Sequence, residues 1–249
     1  MKPTLMLLTM MCALSQVSAA EVKLAVAANF TKPIQDLAVK YEKATGDKLV
    51  MSFGSTGALY AQIKNGAPFD VFLAADNKAP KRAVAEGYGV EGTTFTYAIG
   101  KLVLWSKDPQ FVTNEATLKQ SELKKLAVAD AKLAPYGVAA EETLKKLGLY
   151  DELSPKFVVG GNIGQTYQFV STGNAQAGFV ALSQCYKDGK LTSGSGWIVP
   201  SEYYSAIRQD GVLLKNGANA EAARRFIDYL KSSPEADHIR TAFGYDMEK

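Results

Sequence analysis

The chain of 249 residues is 47% hydrophobic and 21% charged, enough apolar material for a sizeable core and too much for a disordered chain. Its 28 basic and 25 acidic residues give a net charge of +3 with no basic cluster, which argues against nucleic acid as a partner. One histidine and two cysteines leave little for a zinc site or for histidine-based catalysis.

The first twenty residues read as a secretory signal peptide. Lys2 supplies the positive start, Leu5 to Leu14 a short apolar run, and Ser18-Ala19-Ala20 the small residues of a cleavage site after Ala19 or Ala20. Cleavage removes Lys2 and Cys12, lowers the net charge by one and leaves Cys185 as the remaining cysteine. One cysteine makes no intrachain disulfide, so an exported chain of this kind relies on packing. That combination suits the bacterial periplasm.

After the signal, short apolar runs alternate with amphipathic stretches, the pattern of an α/β protein. Val22–Ala27 predicts a strand and Thr31–Thr45 a helix, with Ile34, Leu37, Ala38 and Tyr41 at helical spacing and Gly46 past its end. Lys48–Phe53 predicts a strand, Ala58–Asn65 a short helix, Val71–Ala74 a strand and Lys78–Glu86 a helix. Thr94–Trp105 is a long β-prone run broken by Gly100, long enough to pass between two lobes.

The pattern then restarts with strands at Leu126–Val128 and Phe157–Gly160, helices over Ala140–Leu147 and Gln165–Thr172, and an apolar run at Ala177–Leu182. Trp197–Pro200 and Val212–Leu214 predict extended segments, and Ala218–Lys231 and Pro234–Phe243 predict helices. The expected organisation is a signal over 1–20, a first lobe over 21–100 and 205–249, and a second lobe over 101–204. One continuous doubly wound sheet is the alternative that periodicity leaves open.

The chemistry lies in the turns from strand to helix. Four of them are small and uncharged: Ala27-Ala28-Asn29-Phe30-Thr31, Gly54-Ser55-Thr56-Gly57, Ala134-Pro135-Tyr136-Gly137 and Gly160-Gly161-Asn162-Ile163-Gly164-Gln165. Each opens a helix, where unpaired N–H groups and the helix dipole favour an anion. Asn29, Ser55 and Thr56 add side-chain donors. Without a carboxylate to accept a hydrogen bond, such a set suits a fully deprotonated oxyanion better than a protonated one such as hydrogen phosphate. The same residue types also serve as ordinary caps and turns, so the motifs alone reach an anion-binding cleft and no further.

At these residues the chain resembles the periplasmic molybdate-binding proteins, the soluble receptors of molybdate ABC importers. The matching segments are Val26–Phe30 (VAANF), Phe53–Asp76 (FGSTGALYAQIKNGAPFDVFLAAD), Thr96–Pro109 (TYAIGKLVLWSKDP), Leu133–Gly137 (LAPYG), Gly161–Gln165 (GNIGQ) and Gly178–Leu182 (GFVAL). The resemblance implies the two-lobed type II periplasmic binding-protein fold, with a ligand held between the lobes and no cofactor. It implies first-lobe contacts at Asn29 and Thr56, with Ala28 and Ser55 as neighbours, and second-lobe contacts through the backbone N–H of Tyr136 and Ile163. It implies molybdate or tungstate as ligand, membrane permease subunits as partners, a monomer in the periplasm, and no enzymatic activity. Many members carry serine at the positions of Asn29 and Thr56, and some a tyrosine at that of Ala181. The combination of Asn29, Tyr136 and Ala181 resembles a sub-branch. The alternatives are a receptor for sulfate or chromate, an enzyme on the same fold, and an exported structural or adhesion module.

Other residues carry less. His238 lies in a helical stretch without partner residues nearby, and Asp70, Asp76 and Asp130 flank strand ends, where caps and turns are expected. Trp105 and Trp197 are expected in the core, Cys185 as a small buried residue, and Tyr203-Tyr204 as packing near the return crossing.

Overall fold

The computed structural model describes residues 19–217 and 221–247. The expected signal peptide, but for residues 19 and 20, and the predicted start of the helix at 218 lie outside them. Strand β1 (Glu21–Ala27) runs through a short 3-10 turn into α1 (Thr31–Thr45), followed by β2 (Lys48–Gly54) and α2 (Thr56–Lys64). Helix α1 buries Ile34, Leu37, Ala38 and Tyr41, the stripe its spacing predicts, and Gly46 closes it at φ 79° with its N–H on the Glu42 carbonyl. Next come β3 (Val71–Leu73), α3 (Lys78–Ala85) and β4 (Phe95–Gly100).

The long β-prone run is two strands. Strand β4 ends at Gly100, and β5 (Leu102–Ser106) begins after Lys101 in a different sheet. The chain continues through β6 (Leu126–Ala129), α4 (Pro135–Lys146), α5 (Tyr150–Leu153), β7 (Phe157–Gly160), α6 (Ile163–Ser171), β8 (Ala177–Ala181) and α7 (Leu182–Cys185). A small hairpin of β9 (Tyr186–Lys187) and β10 (Lys190–Leu191) precedes β11 (Ser195–Ile198). The chain then returns to β12 (Ile207–Leu213) and ends in α8 (Glu221–Ser232) and α9 (Pro234–Ala242).

Two five-stranded sheets result, ordered β2-β1-β3-β12-β4 and β11-β5-β8-β6-β7. Strands β2, β1 and β3 are parallel, as are β8, β6 and β7, whereas β12 and β5 run antiparallel to their neighbours. The first sheet draws on residues 21–100 and 207–213, the second on 102–198. Each is the centre of one lobe of a two-lobed α/β fold.

Both faces of each sheet are covered at its centre, so strands such as β1, β3, β5, β6 and β8 are buried on both sides, whereas the edge strands β2 and β7 are partly exposed. In β1, Val22, Leu24 and Val26 pack with α1 and α8, while Ala25 faces Leu59 and Tyr60 of α2. In β5, Leu102 and Leu104 join Leu126 and Leu144, while Val103 and Trp105 join Val170 and Val180. Truncating a fully buried leucine such as Leu24 or Leu102 to alanine costs about 2–5 kcal/mol.

The lobes are tied where the chain crosses. The Tyr204 hydroxyl accepts from Leu102 N–H at 3.1 Å, so the return segment is bonded to the first crossing. Trp105 is buried and stacks on Tyr167, whereas Trp197 is half-buried and meets the Tyr203 ring edge-on.

Candidate functional site

All four uncharged turns lie at C-terminal ends of parallel strands, the edge where α/β sheets place ligands. The turn after β1 holds Ala28 and Asn29, and that after β2 holds Ser55 and Thr56. Across from them, Tyr136 stands in the first turn of α4 and Ile163 opens α6. Helix α4 starts at Pro135, five residues before the predicted start. Proline suits a first helical position because its missing N–H would have had no partner there.

The lobes meet over this region. One apolar cluster unites Ala27, Ala28 and Ala75 of the first lobe with Tyr136, Ile163 and Ala181 of the second. Gly57 N–H donates to the Leu133 carbonyl at 3.0 Å, and a Cβ on Gly57 would press on the Leu133 backbone at 3.2 Å, a few tenths of an ångström tighter than ordinary contact. Ser183 Oγ donates to the Asn29 carbonyl at 2.8 Å and Lys32 Nζ to the Gln184 carbonyl at 2.7 Å. Asn29 and Tyr136 are each 1% exposed, and Ser55, Thr56 and Ile163 are also buried. Burial strengthens any hydrogen bond made here.

Each turn presents its donors differently. Thr56 Oγ1 accepts from Ala75 N–H at 2.9 Å, which orients the hydroxyl and leaves its own hydrogen to donate. Ser55 is the N-cap of α2, its Oγ accepting from Ala58 N–H at 3.4 Å. Asn162 caps α6 through Gln165 N–H at 2.9 Å, and Gln165 Oε1 takes Gly161 N–H at 2.7 Å. Those caps serve neighbours, so the N–H groups of Tyr136 and Ile163 keep no backbone partner among the described residues. Gln184 Nε2 donates to the Ile163 carbonyl at 3.0 Å and its Oε1 takes Ala181 N–H, fixing that turn from behind.

The Asn29 side chain is committed inward. Its Nδ2 donates to Gln209 Oε1 at 2.7 Å and to the Tyr245 hydroxyl at 2.9 Å, while its Oδ1 is buried with no partner among the described residues. Gln209 also takes the Tyr97 hydroxyl at 3.0 Å and donates from Nε2 to the Tyr136 hydroxyl at 3.1 Å. Gln209, Tyr97, Tyr245 and Ser183 are the residues that sequence reasoning missed. The polar stretch Arg208-Gln209-Asp210 gave no signal of a strand, and only its burial in the sheet shows that Gln209 needs specific partners.

The site carries no formal charge of its own. Burial holds the Tyr136 and Tyr97 hydroxyls well above the usual tyrosine range, so both stay neutral and protonated. Asp76 borders the Thr56 side of the cleft, but its Oδ1 is held by the N–H groups of Lys78 and Ala79. Burial raises its carboxyl above the usual range against those two bonds. Asp130 and Asp70 likewise accept backbone N–H groups, from Lys132 and Lys23. Among the described residues no group of three or more His, Cys, Asp or Glu side chains is placed to hold a metal ion, and His238 is exposed on α9.

A sequence profile of the family described as bacterial extracellular solute-binding protein matches residues 22–246. The molybdate-binding protein ModA of Azotobacter vinelandii is 54% identical over 231 residues, covering 92% of this chain and 91% of the relative. This chain belongs to the ModA family. A second member, from Rhodobacter capsulatus, is 50% identical over 93% of this chain and 90% of its own. The solved Azotobacter vinelandii periplasmic molybdate-binding protein superimposes with a TM-score of 0.88 at 39% identity, covering 92% of this chain and 100% of that one. The ModA family fold is therefore the two-lobed fold described above. No helix among the described residues is long and apolar enough to cross a membrane.

Proposed function

We propose that this chain is a monomeric periplasmic receptor that captures molybdate, and tungstate with it, and delivers it to the permease subunits of an ABC importer. The lobes of this reading are 21–100 with 205–249, and 101–204. The observation that supports it is that four uncharged helix starts come together where the lobes meet, with Ala28, Ala75, Tyr136 and Ile163 in one buried cluster between a cleft at Thr56 and another at Asn29. Thr56 Oγ1 and the N–H groups of Asn29, Tyr136 and Ile163 are the proposed contacts, with Ala28 and Ser55 shaping the first-lobe wall. Charge-assisted hydrogen bonds contribute about 1.5–3 kcal/mol each, and micromolar affinity corresponds to about 8 kcal/mol, so several together are needed. Neither a cofactor nor a chemical step enters: the ligand is bound, enclosed by lobe closure and released.

Calorimetric titration with molybdate, tungstate, sulfate and phosphate tests this. Molybdate and tungstate should bind tightly, and sulfate binding as tightly as molybdate would overturn the ligand assignment. Thr56→Ala should weaken molybdate binding by about 10- to 100-fold, with Thr56→Ser retaining most of it, because serine keeps the hydroxyl. Ser121→Ala, at an exposed serine bonded to Glu122, should leave binding unchanged. Equal losses at Thr56 and Ser121 would count against the site.

A further inference from the structure

Gln209 is fully buried in β12 and joins the two lobes. The hydrogen bonds through it run in one direction, from Asn29 Nδ2 to Gln209 Oε1 and from Gln209 Nε2 to the Tyr136 hydroxyl. Two loose ends follow. The Tyr136 hydroxyl hydrogen has no acceptor among the described residues, and at the far end Asn29 Oδ1 has no donor. A buried acceptor left without a donor is costly, and an acceptor is the wrong group to turn toward an anion.

Turning both primary amides end for end gives the Tyr136 hydrogen an acceptor and exchanges the unpartnered acceptor on Asn29 for a donor, without changing the space either side chain fills. The Tyr136 hydroxyl then donates to Gln209 Oε1. Gln209 Nε2 donates to Asn29 Oδ1 and to the Tyr97 oxygen, while Tyr97 keeps its bond to the Ala74 carbonyl at 2.9 Å. The Tyr245 hydroxyl, 2.9 Å from the Asn29 amide, turns its hydrogen to Oδ1 and away from the Asn29 carbonyl and Ser183 Oγ, and the carbonyl keeps the Ser183 hydroxyl as donor. The unpartnered position on Asn29 now carries Nδ2, a donor. Asn29 lines the cleft between lobes, beside Asn162 and Gly164 of the second lobe.

We propose that Gln209 is a positioning residue: with the Tyr136 hydroxyl it decides which end of the Asn29 amide faces a bound oxyanion, and oxyanion binding sets the relay with Nδ2 outward. This rests on the oxyanion reading above. Tyr136 belongs to the second lobe, and Asn29 and Gln209 to the first. The hydrogen that drives the relay therefore arrives only when the lobes close, which couples ligand contact to closure.

Three measurements on the full mature chain test it. Tyr136→Phe keeps the backbone N–H proposed to touch the ligand and removes the driving hydrogen; molybdate affinity should fall about tenfold. In Gln209→Glu the ionised carboxylate only accepts, so Asn29 Nδ2 stays turned toward it and affinity should fall at least as far. A protonated glutamic acid donates and accepts as glutamine does. Molybdate affinity of this variant should therefore recover as the pH drops from about 8 to about 5.5, with no such rise in the unsubstituted protein.

The titratable groups around position 209 are the neutral hydroxyls of Tyr97, Tyr136 and Tyr245, with Asp210 and Arg208 beside it on β12 and Asp76 within electrostatic reach of Tyr97. On the unsubstituted protein, the Asn29 side-chain amide resonances should move on adding molybdate in proton–nitrogen correlation spectra. This readout needs no variant to fold. Binding by Tyr136→Phe equal to wild type, or pH-independent weakness of Gln209→Glu, overturns the relay. If the unsubstituted protein binds no tetrahedral oxyanion, the reading beneath it falls instead.

Discussion

Gly100→Ala puts a single methyl group at the point where the lobes touch. A Cβ there would lie 2.5 Å from Gln209 Nε2 and 3.0 Å from Tyr136 Cζ, and closer still to the oxygen on that ring. Ordinary contact begins near 3.4 Å, so Gln209 must retreat by about 0.9 Å and the hydroxyl by more. Tyr136 sits on the opposite lobe, so its share of the strain falls on the closed arrangement and vanishes when the lobes part, whereas the clash with Gln209, on the same sheet as Gly100, remains. Overpacking of this kind costs about 1–3 kcal/mol, which weakens binding by about 5- to 150-fold. The thermal midpoint without ligand should fall by a few degrees because of Gln209, with the further loss from Tyr136 appearing only on binding. Calorimetry with molybdate measures the first effect, and small-angle scattering with and without molybdate reports whether closure still occurs. Adding Tyr136→Phe removes the nearest atom and leaves the ring carbon at 3.0 Å, so the losses from the two substitutions should be less than additive. Unchanged affinity together with an unchanged scattering profile would refute the argument that Gly100 is required for closure.

Two further outcomes follow from buried groups away from the cleft. Cys185 is fully buried, and burial pushes its thiol up to about 12, partly opposed by Lys32. It should resist a maleimide or disulfide reagent at pH about 8 in the folded protein and react promptly in denaturant; fast labelling of folded protein would contradict its placement. Asp47 is buried beneath Arg225, with bonds of 2.9 and 3.2 Å from Nη2. Burial alone would raise its carboxyl, but Arg225, Ala20 N–H and the Tyr41 hydroxyl outweigh that and hold it below the usual range. A lowered folded-state pKa gives stability that is present above about pH 4 and lost as the pH falls through the folded value. The urea midpoint should therefore drop from about pH 6 to about pH 3 more steeply in wild type than in Asp47→Asn.

Much of the fold was legible because local signals agreed with the final packing. Helix α1 follows its predicted bounds, since the apolar period, the stop at Gly46 and the buried face all coincide. Strand β12 was read too short, as Val212–Leu214 instead of Ile207–Leu213. Gln209 and Asp210 look like loop residues in sequence, yet partners from distant segments satisfy them inside the sheet: Asn29, Tyr97 and Tyr136 for one, Thr96 for the other. The short helices α5 and α7 and the hairpin of β9 and β10 span four residues or fewer per element, too few to show a period. In the site, the turns were visible as turns. The direction of the Asn29 amide was not, because its two acceptors lie 180 and 216 residues along the chain.

The weak net charge of the chain fits an anion receptor once the helix starts are considered as a set. Helices α1, α2, α4 and α6 all begin near the junction of the lobes, and each N-terminus carries about half an elementary positive charge. Together they supply about two positive charges' worth of fixed dipole, comparable to the charge of a tetrahedral dianion, without a single cationic side chain in the ring. Lys32, the cation nearest the first turn, instead bonds the Gln184 carbonyl across the lobes and so contributes to closure. A lysine or arginine placed in the ring would attract any small anion and would face a large desolvation cost whenever the closed cleft held none. Fixed dipoles and N–H groups cost less to bury, because backbone hydrogen bonds within each helix already orient them. On the proposed site, selection among oxyanions depends on how the donors are spaced and on whether Asn29 offers a donor or an acceptor. That choice is made by Gln209 and Tyr136, two residues held apart until the lobes meet.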